Sequence, residues 1–113
     1  MDVRYYTPDS WVLLKINNPK DPHYRVLAGW SGGYLSGDSW RLNSGITRHE
    51  FDGDYWYFYG SSGSCYKCYV DSYCMRNIMG SVYRELVDKY GEDVVQILED
   101  QQWAKKEWDW IIK

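Results

Sequence analysis

Cys65-x-x-Cys68, followed by Cys74, is the group of side chains closest to a chemical motif in this 113-residue chain. Thiolates at that spacing make half of a zinc site, which wants four ligands. The histidines are His23 and His49, so a full set would draw on Cys65, Cys68, Cys74 and His49. On a strand, however, side chains alternate, and an odd spacing sends Cys65 and Cys68 to opposite faces. The thiols therefore read first as small apolar groups, with a zinc-stabilised interaction module as an alternative. Cys68 and His49 are also the pair for nucleophilic chemistry, but a thiol in apolar surroundings is inert. The carboxylates Glu50, Asp52 and Asp54 flank a turn, and Glu92-Asp93 and Glu99-Asp100 lie near helix ends. Turn and cap roles explain both groups, and no pairing suggests general acid–base work. No enzyme active site and no cofactor are expected.

Two stretches are rich in glycine and serine, residues 29–37 and 60–64. Neither matches a phosphate-binding loop or a dinucleotide fingerprint. Their backbone amides could still cradle an anion. Combined with aromatic stacking, this leaves a second alternative: a small-ligand binder that sequesters a nucleotide immune signal.

The elements that must position these residues can be read from period and punctuation. Residues 10–16 read as a strand buried on both faces for part of its length, and residues 24–30 as its hairpin partner. A short strand is expected at 39–42. Asp52-Gly53 stands between two β-prone runs, 46–51 and 54–59, and marks a hairpin. A second turn at 60–64 leads into 65–70, which completes a three-stranded meander over 46–70. From Asp71 onward the apolar period becomes helical through Met75, Ile78, Met79, Val82, Leu86 and Val87, with Gly91 as the stop. A second helix is expected after Asp93 and a last one over 103–113. The expected fold is α+β in a single domain, 1–113. An antiparallel sheet of about five strands (10–70) is followed by two or three C-terminal helices (71–113).

The meander predicts a sheet with two unlike faces. A two-residue turn at Asp52-Gly53 pairs Arg48 with Tyr57 and Glu50 with Tyr55. His49 is then opposite Trp56. Thr47, His49, Phe51, Trp56 and Phe58 share the core face, and Ile46 falls on the other. A five-residue second turn pairs Cys65 with Tyr59, Lys67 with Tyr57 and Tyr69 with Tyr55. The alternative register would bury the Lys67 ammonium, which is costly. Arg48, Tyr55, Tyr57, Lys67 and Tyr69 then form one outward patch, of the residue types favoured at interface centres. Trp108 and Trp110 at the C-terminus cannot share one narrow stripe with Ile111 and Ile112. They are candidate contacts for a partner or for a homodimer.

Composition narrows the class of partner. Aromatic residues make up 19% of the chain, with 12 Tyr and 7 Trp, which excludes a disordered segment. Net charge is −3, and the deficit lies beyond residue 76. A phosphate-binding stripe of Lys and Arg is missing, so direct nucleic-acid binding is not expected. The segment Met1-Asp2-Val3-Arg4 is polar, so no secretory signal is expected. No apolar run approaches membrane-spanning length, so no membrane partner is expected. An odd cysteine count speaks for reduced thiols in a cytosol.

The run from Ala28 through Gly32-Gly33-Tyr34, Trp40-Arg41-Leu42 and Ile46 resembles small accessory proteins of tailed bacteriophages. So do Tyr57-Phe58-Tyr59-Gly60-Ser61-Ser62-Gly63-Ser64 and Cys65-Tyr66-Lys67-Cys68. The similarity covers residues 24–70. It implies a phage-encoded inhibitor that acts by protein–protein binding on a host protein or defence complex, such as a CRISPR-Cas effector. It also implies the cytoplasm of the infected bacterial host as the place of action.

Overall fold

The structure, a computed structural model, describes residues 4–33 and 37–98. The described chain runs β1 (Arg4–Tyr6), β2 (Ser10–Ile16), β3 (His23–Gly33), β4 (Gly37–Leu42), β5 (Ile46–Phe51), β6 (Tyr55–Gly60) and β7 (Ser64–Tyr69). A 3-10 turn (Val70–Ser72), α1 (Asn77–Tyr90) and β8 (Val95–Ile97) follow. The strands form two four-stranded sheets. Sheet I has the order β1-β7-β6-β5 and sheet II the order β4-β3-β2-β8. This corrects the expected fold class: eight strands in two sheets and one helix replace about five strands and two or three helices. The last expected helix, 103–113, lies outside the described residues.

The two sheets pack face to face. Trp11, Leu13, Tyr24, Val26 and Ala28 of sheet II meet Ile46, Trp56, Phe58, Tyr66 and Cys68 of sheet I in one buried cluster. Burying each large apolar side chain here is worth about 1.5–3 kcal/mol. The Trp11 indole N–H donates to the Tyr69 carbonyl at 2.7 Å, linking the sheets across the core. The opposite side of β2 and β3 presents Val12, Leu14 and Leu27, and α1 covers it with Met79 and Val82. So β2 is buried on both faces, as its unbroken apolar run predicts. Gly29 lets the helix come close: a Cβ there would stand 2.7 Å from Met79 Sδ.

The C-terminal elements depart from the helical reading for physical reasons. Tyr73 bridges to Trp11, and the Cys74 N–H donates to the Trp11 carbonyl. The chain is thus tied to β2 until α1 begins at Asn77. Asp71 sits in the 3-10 turn and does not cap α1, whose N-cap residue, Arg76, makes no side-chain cap bond. Gly91 does end α1, with φ +97° and its N–H on the Val87 carbonyl. The segment after Asp93 is a strand because β2 has an open edge beside it. Leu14 pairs with Ile97 and Ile16 with Val95. Three residues on an unpaired edge, with apolar Val95 and Ile97 flanking Gln96, gain ladder bonds that a one-turn helix would not.

Residues 4–6, read as part of a lead-in, form β1, which runs parallel to β7 with Tyr5 opposite Cys65. Among the described residues no helix is long and apolar enough to cross a membrane.

Candidate functional site

Sheet I turns its outer face away from the sandwich core. On β6 the alternation is regular: Trp56 and Phe58 are buried, while Tyr55, Tyr57 and Tyr59 are half-buried on the other side. The β6–β7 register is the predicted one, with Tyr55 opposite Tyr69, Tyr57 opposite Lys67 and Tyr59 opposite Cys65. The β5–β6 register is not. Phe51 pairs with Trp56, His49 with Phe58, Glu50 with Tyr57 and Arg48 with Tyr59. The reason is the turn. Asp52 Oδ1 accepts the N–H groups of Asp54 and Tyr55 at 2.9 and 2.8 Å, which holds 52–55 as a longer turn than Asp52-Gly53 alone. The pairing shifts by two residues, so most side chains keep their faces. Ile46 departs from its expected face, because a register irregularity between Ile46 and Arg48 moves it into the core. Thr47 and Phe51, expected on the core face, are exposed on this edge strand.

The shift changes who meets whom. The Arg48 guanidinium lies 3.8 Å from the centre of the Tyr59 ring, not against Tyr57, and pairs with Glu50. Lys67 Nζ is 4.5 Å from the Tyr55 ring centre and 5.9 Å from that of Tyr57. The Tyr55 and Tyr69 rings pack at 5.3 Å. Tyr57 donates its hydroxyl hydrogen to Asp52 Oδ2 at 2.9 Å. That bond pushes the Tyr57 phenol up to about 12. Asp52 is held below the usual carboxylate range by the Tyr55 and Asp54 amides and the Tyr57 hydroxyl. The Tyr69 phenol is raised by the charge of nearby Asp71.

Arg48, Tyr55, Tyr57, Lys67 and Tyr69 are therefore brought together on one face. Trp108 and Trp110 lie outside the described residues. Three members were missed as candidates. Tyr59 carries Arg48. Asp52 orients Tyr57. Tyr5, 57% exposed on β1, extends the face past β7. A three-residue strand leaves no alternation long enough to read, so Tyr5 could be placed only by its pairing with Cys65. α1 packs on the far side of sheet II and leaves this face uncovered.

The cysteine chemistry does not assemble. Cys68 is buried in the core and its thiol is pushed well up by desolvation. Cys65 is buried on the other side of β7, and burial raises it too. Cys74 is exposed on the loop before α1. The His49 ring lies 5.6 Å from that of Trp56, and burial lowers its pKa. Among the described residues no group of three or more His, Cys, Asp or Glu side chains is gathered to hold a metal ion.

No family model, curated protein or solved structure matches this chain. Its function must be argued from the face itself.

Proposed function

We propose that this protein is an inhibitor that acts by binding another protein through the outer face of sheet I. The carrying observation is a row of tyrosines that no other described element covers, Tyr5, Tyr55, Tyr57, Tyr59 and Tyr69, edged by Arg48, Glu50, Asp52 and Lys67. Tyrosine buries a large rigid area and keeps a hydroxyl for hydrogen bonding, which suits a surface that is wet when free and dry when bound. The mixed charges at its margin would set orientation and partner choice. Several of these side chains are held before binding, by the Asp52–Tyr57 bond and by cations over rings. Less ordering is then required on association.

The partner class we favour is a host protein or defence complex of a phage-infected bacterium, CRISPR-Cas effectors included, met in the host cytoplasm. The test is affinity capture from bacterial lysate with the tagged chain, beside the Tyr57→Ala and Lys67→Ala variants. A single complex enriched by the parent chain and weakened about tenfold by Tyr57→Ala is the expected result. Capture that is indifferent to both substitutions removes this face from the account.

A further inference from the structure

The second unusual region is the open edge of the sandwich, where β1 of sheet I comes near β4 of sheet II. Two clefts meet there and share Tyr6 and Arg41. One, of about 390 Å³, is polar and lined by Arg4, Arg41, Ser44, Ser62, Gly63 and Ser64. The other, an open groove of about 620 Å³, is lined by Tyr5, Trp30 and Trp40. Both volumes are in the range of small-molecule sites.

The polar cleft gathers cations without carboxylates. Among the described residues, neither Arg4 nor Arg41 forms an ion pair. Both turn to Tyr6 instead. Arg4 Nη1 donates to the Tyr6 hydroxyl at 3.4 Å, and the Arg41 guanidinium lies 4.3 Å from the Tyr6 ring centre. The Arg4 bond lowers the Tyr6 phenol pKa, as an excess of local positive charge requires.

The hydroxyls are positioned as well. Ser44 Oγ is 3.1 Å from the Ser62 N–H and from the hydroxyls of Ser61 and Ser62. The corner that carries Ser44 is anchored by buried Asn43. Its N–H donates to the Val26 carbonyl, and its Oδ1 accepts the Gly45 N–H at 2.9 Å. Gly60 makes room for it, since a Cβ there would stand 2.5 Å from Asn43 Nδ2. Guanidinium forks beside hydroxyls suit a phosphate. The adjoining Trp40, 44% exposed, and half-buried Trp30 offer flat apolar surface of the kind on which bases stack.

We propose that this edge binds a 5′-mononucleotide, with Arg4 and Arg41 on the phosphate, the Ser44 and Ser62 hydroxyls completing its shell, and the base in the tryptophan groove. The site borders the tyrosine face at Tyr5, which lines the groove, but it uses none of Arg48, Tyr57 and Lys67 and does not depend on the docking role of that face.

The test is a calorimetric titration of the full chain with AMP, GMP, CMP and UMP, with inorganic phosphate and adenosine titrated alongside. At least one mononucleotide is expected to bind about tenfold or more tighter than phosphate or adenosine. Arg41→Ala should weaken that binding about tenfold or more, and Tyr57→Ala should leave it unchanged. Arg41 is exposed, so the variant should fold; if its thermal melt is not cooperative, Trp40→Ala is read in its place and should weaken binding. The proposal falls if no mononucleotide binds at millimolar concentration. It also falls if phosphate or adenosine alone binds as tightly, or if the Arg41 and Trp40 variants both bind like the parent.

Discussion

The two sheets of this molecule each have a face turned away from the sandwich core, and the two faces have opposite fates. On sheet II that face carries Val12, Leu14 and Leu27, and α1 covers it. On sheet I it carries Tyr55, Tyr57, Tyr59, Lys67, Arg48 and Glu50, and α1 lies elsewhere. The difference is one of desolvation. A helix laid on the aliphatic face removes apolar area from water at about 25 cal/mol per Å². The same helix laid on sheet I would have to strip water from two cations, a carboxylate and several hydroxyls. Side-chain chemistry thus decides which sheet becomes the middle layer and which keeps its outer face clear of the helix.

The sharpest way to break that comparison is to test the two sides of β6. Phe58→Ala opens a cavity between the sheets and should cost about 3–5 kcal/mol in urea unfolding. If it costs no more than Tyr57→Ala, the inward and outward faces of β6 are not distinct. Met79→Ala tests the aliphatic face and should cost about 2–5 kcal/mol. Amide exchange should quicken through α1 while sheet I stays protected; loosening that spread evenly over both sheets would argue against a helix layer seated only on sheet II.

Next in size is Tyr57→Ala, expected to weaken partner capture about tenfold while leaving the unfolding midpoint nearly in place. An unchanged affinity with an unchanged midpoint would make the tyrosine face a mere solvated surface. The smallest effect is in the turn. Asp52→Asn should bring the Tyr57 phenol down from about 12 toward its ordinary value of 10.0, read by ultraviolet titration of tyrosinate. The signs follow from linkage. The raised Tyr57 pKa adds stability that is present below pH 10.0 and lost as pH rises through about 12. The lowered Asp52 pKa adds stability that is present above the ordinary carboxylate range and lost as pH falls through the folded-state value. A Tyr57 phenol that titrates alike in the parent and in Asp52→Asn would show that this bond does not hold in solution.

Local patterns were legible wherever their physical cause is local. The presence of a hairpin at Asp52-Gly53, though not the length of its turn, the meander over 46–70 and the β6–β7 register follow from turn chemistry, alternation and the cost of burying Lys67. Gly91 as a helix stop follows from its backbone freedom, with φ +97°. The outward grouping of Arg48, Tyr55, Tyr57, Lys67 and Tyr69 follows from the same alternation. It survived a wrong β5–β6 register because a shift of two residues leaves faces unchanged. The Ile46 reading did not survive, because an irregularity in the ladder inverts the alternation locally and leaves no mark in composition.

By itself, then, the sequence determined which residues of the meander share a face, and that this face is polar and aromatic. Period and turn chemistry act over a few residues and carry that information directly. Only the tertiary structure decided that there are two sheets, that residues 95–97 add a strand to the open edge of β2, and that α1 lies on sheet II. It alone brought Arg4 and Arg41 to one cleft from strands of different sheets. These outcomes depend on which edges are vacant and which surfaces shed water most cheaply when the chain closes, and no short stretch of residues encodes that competition.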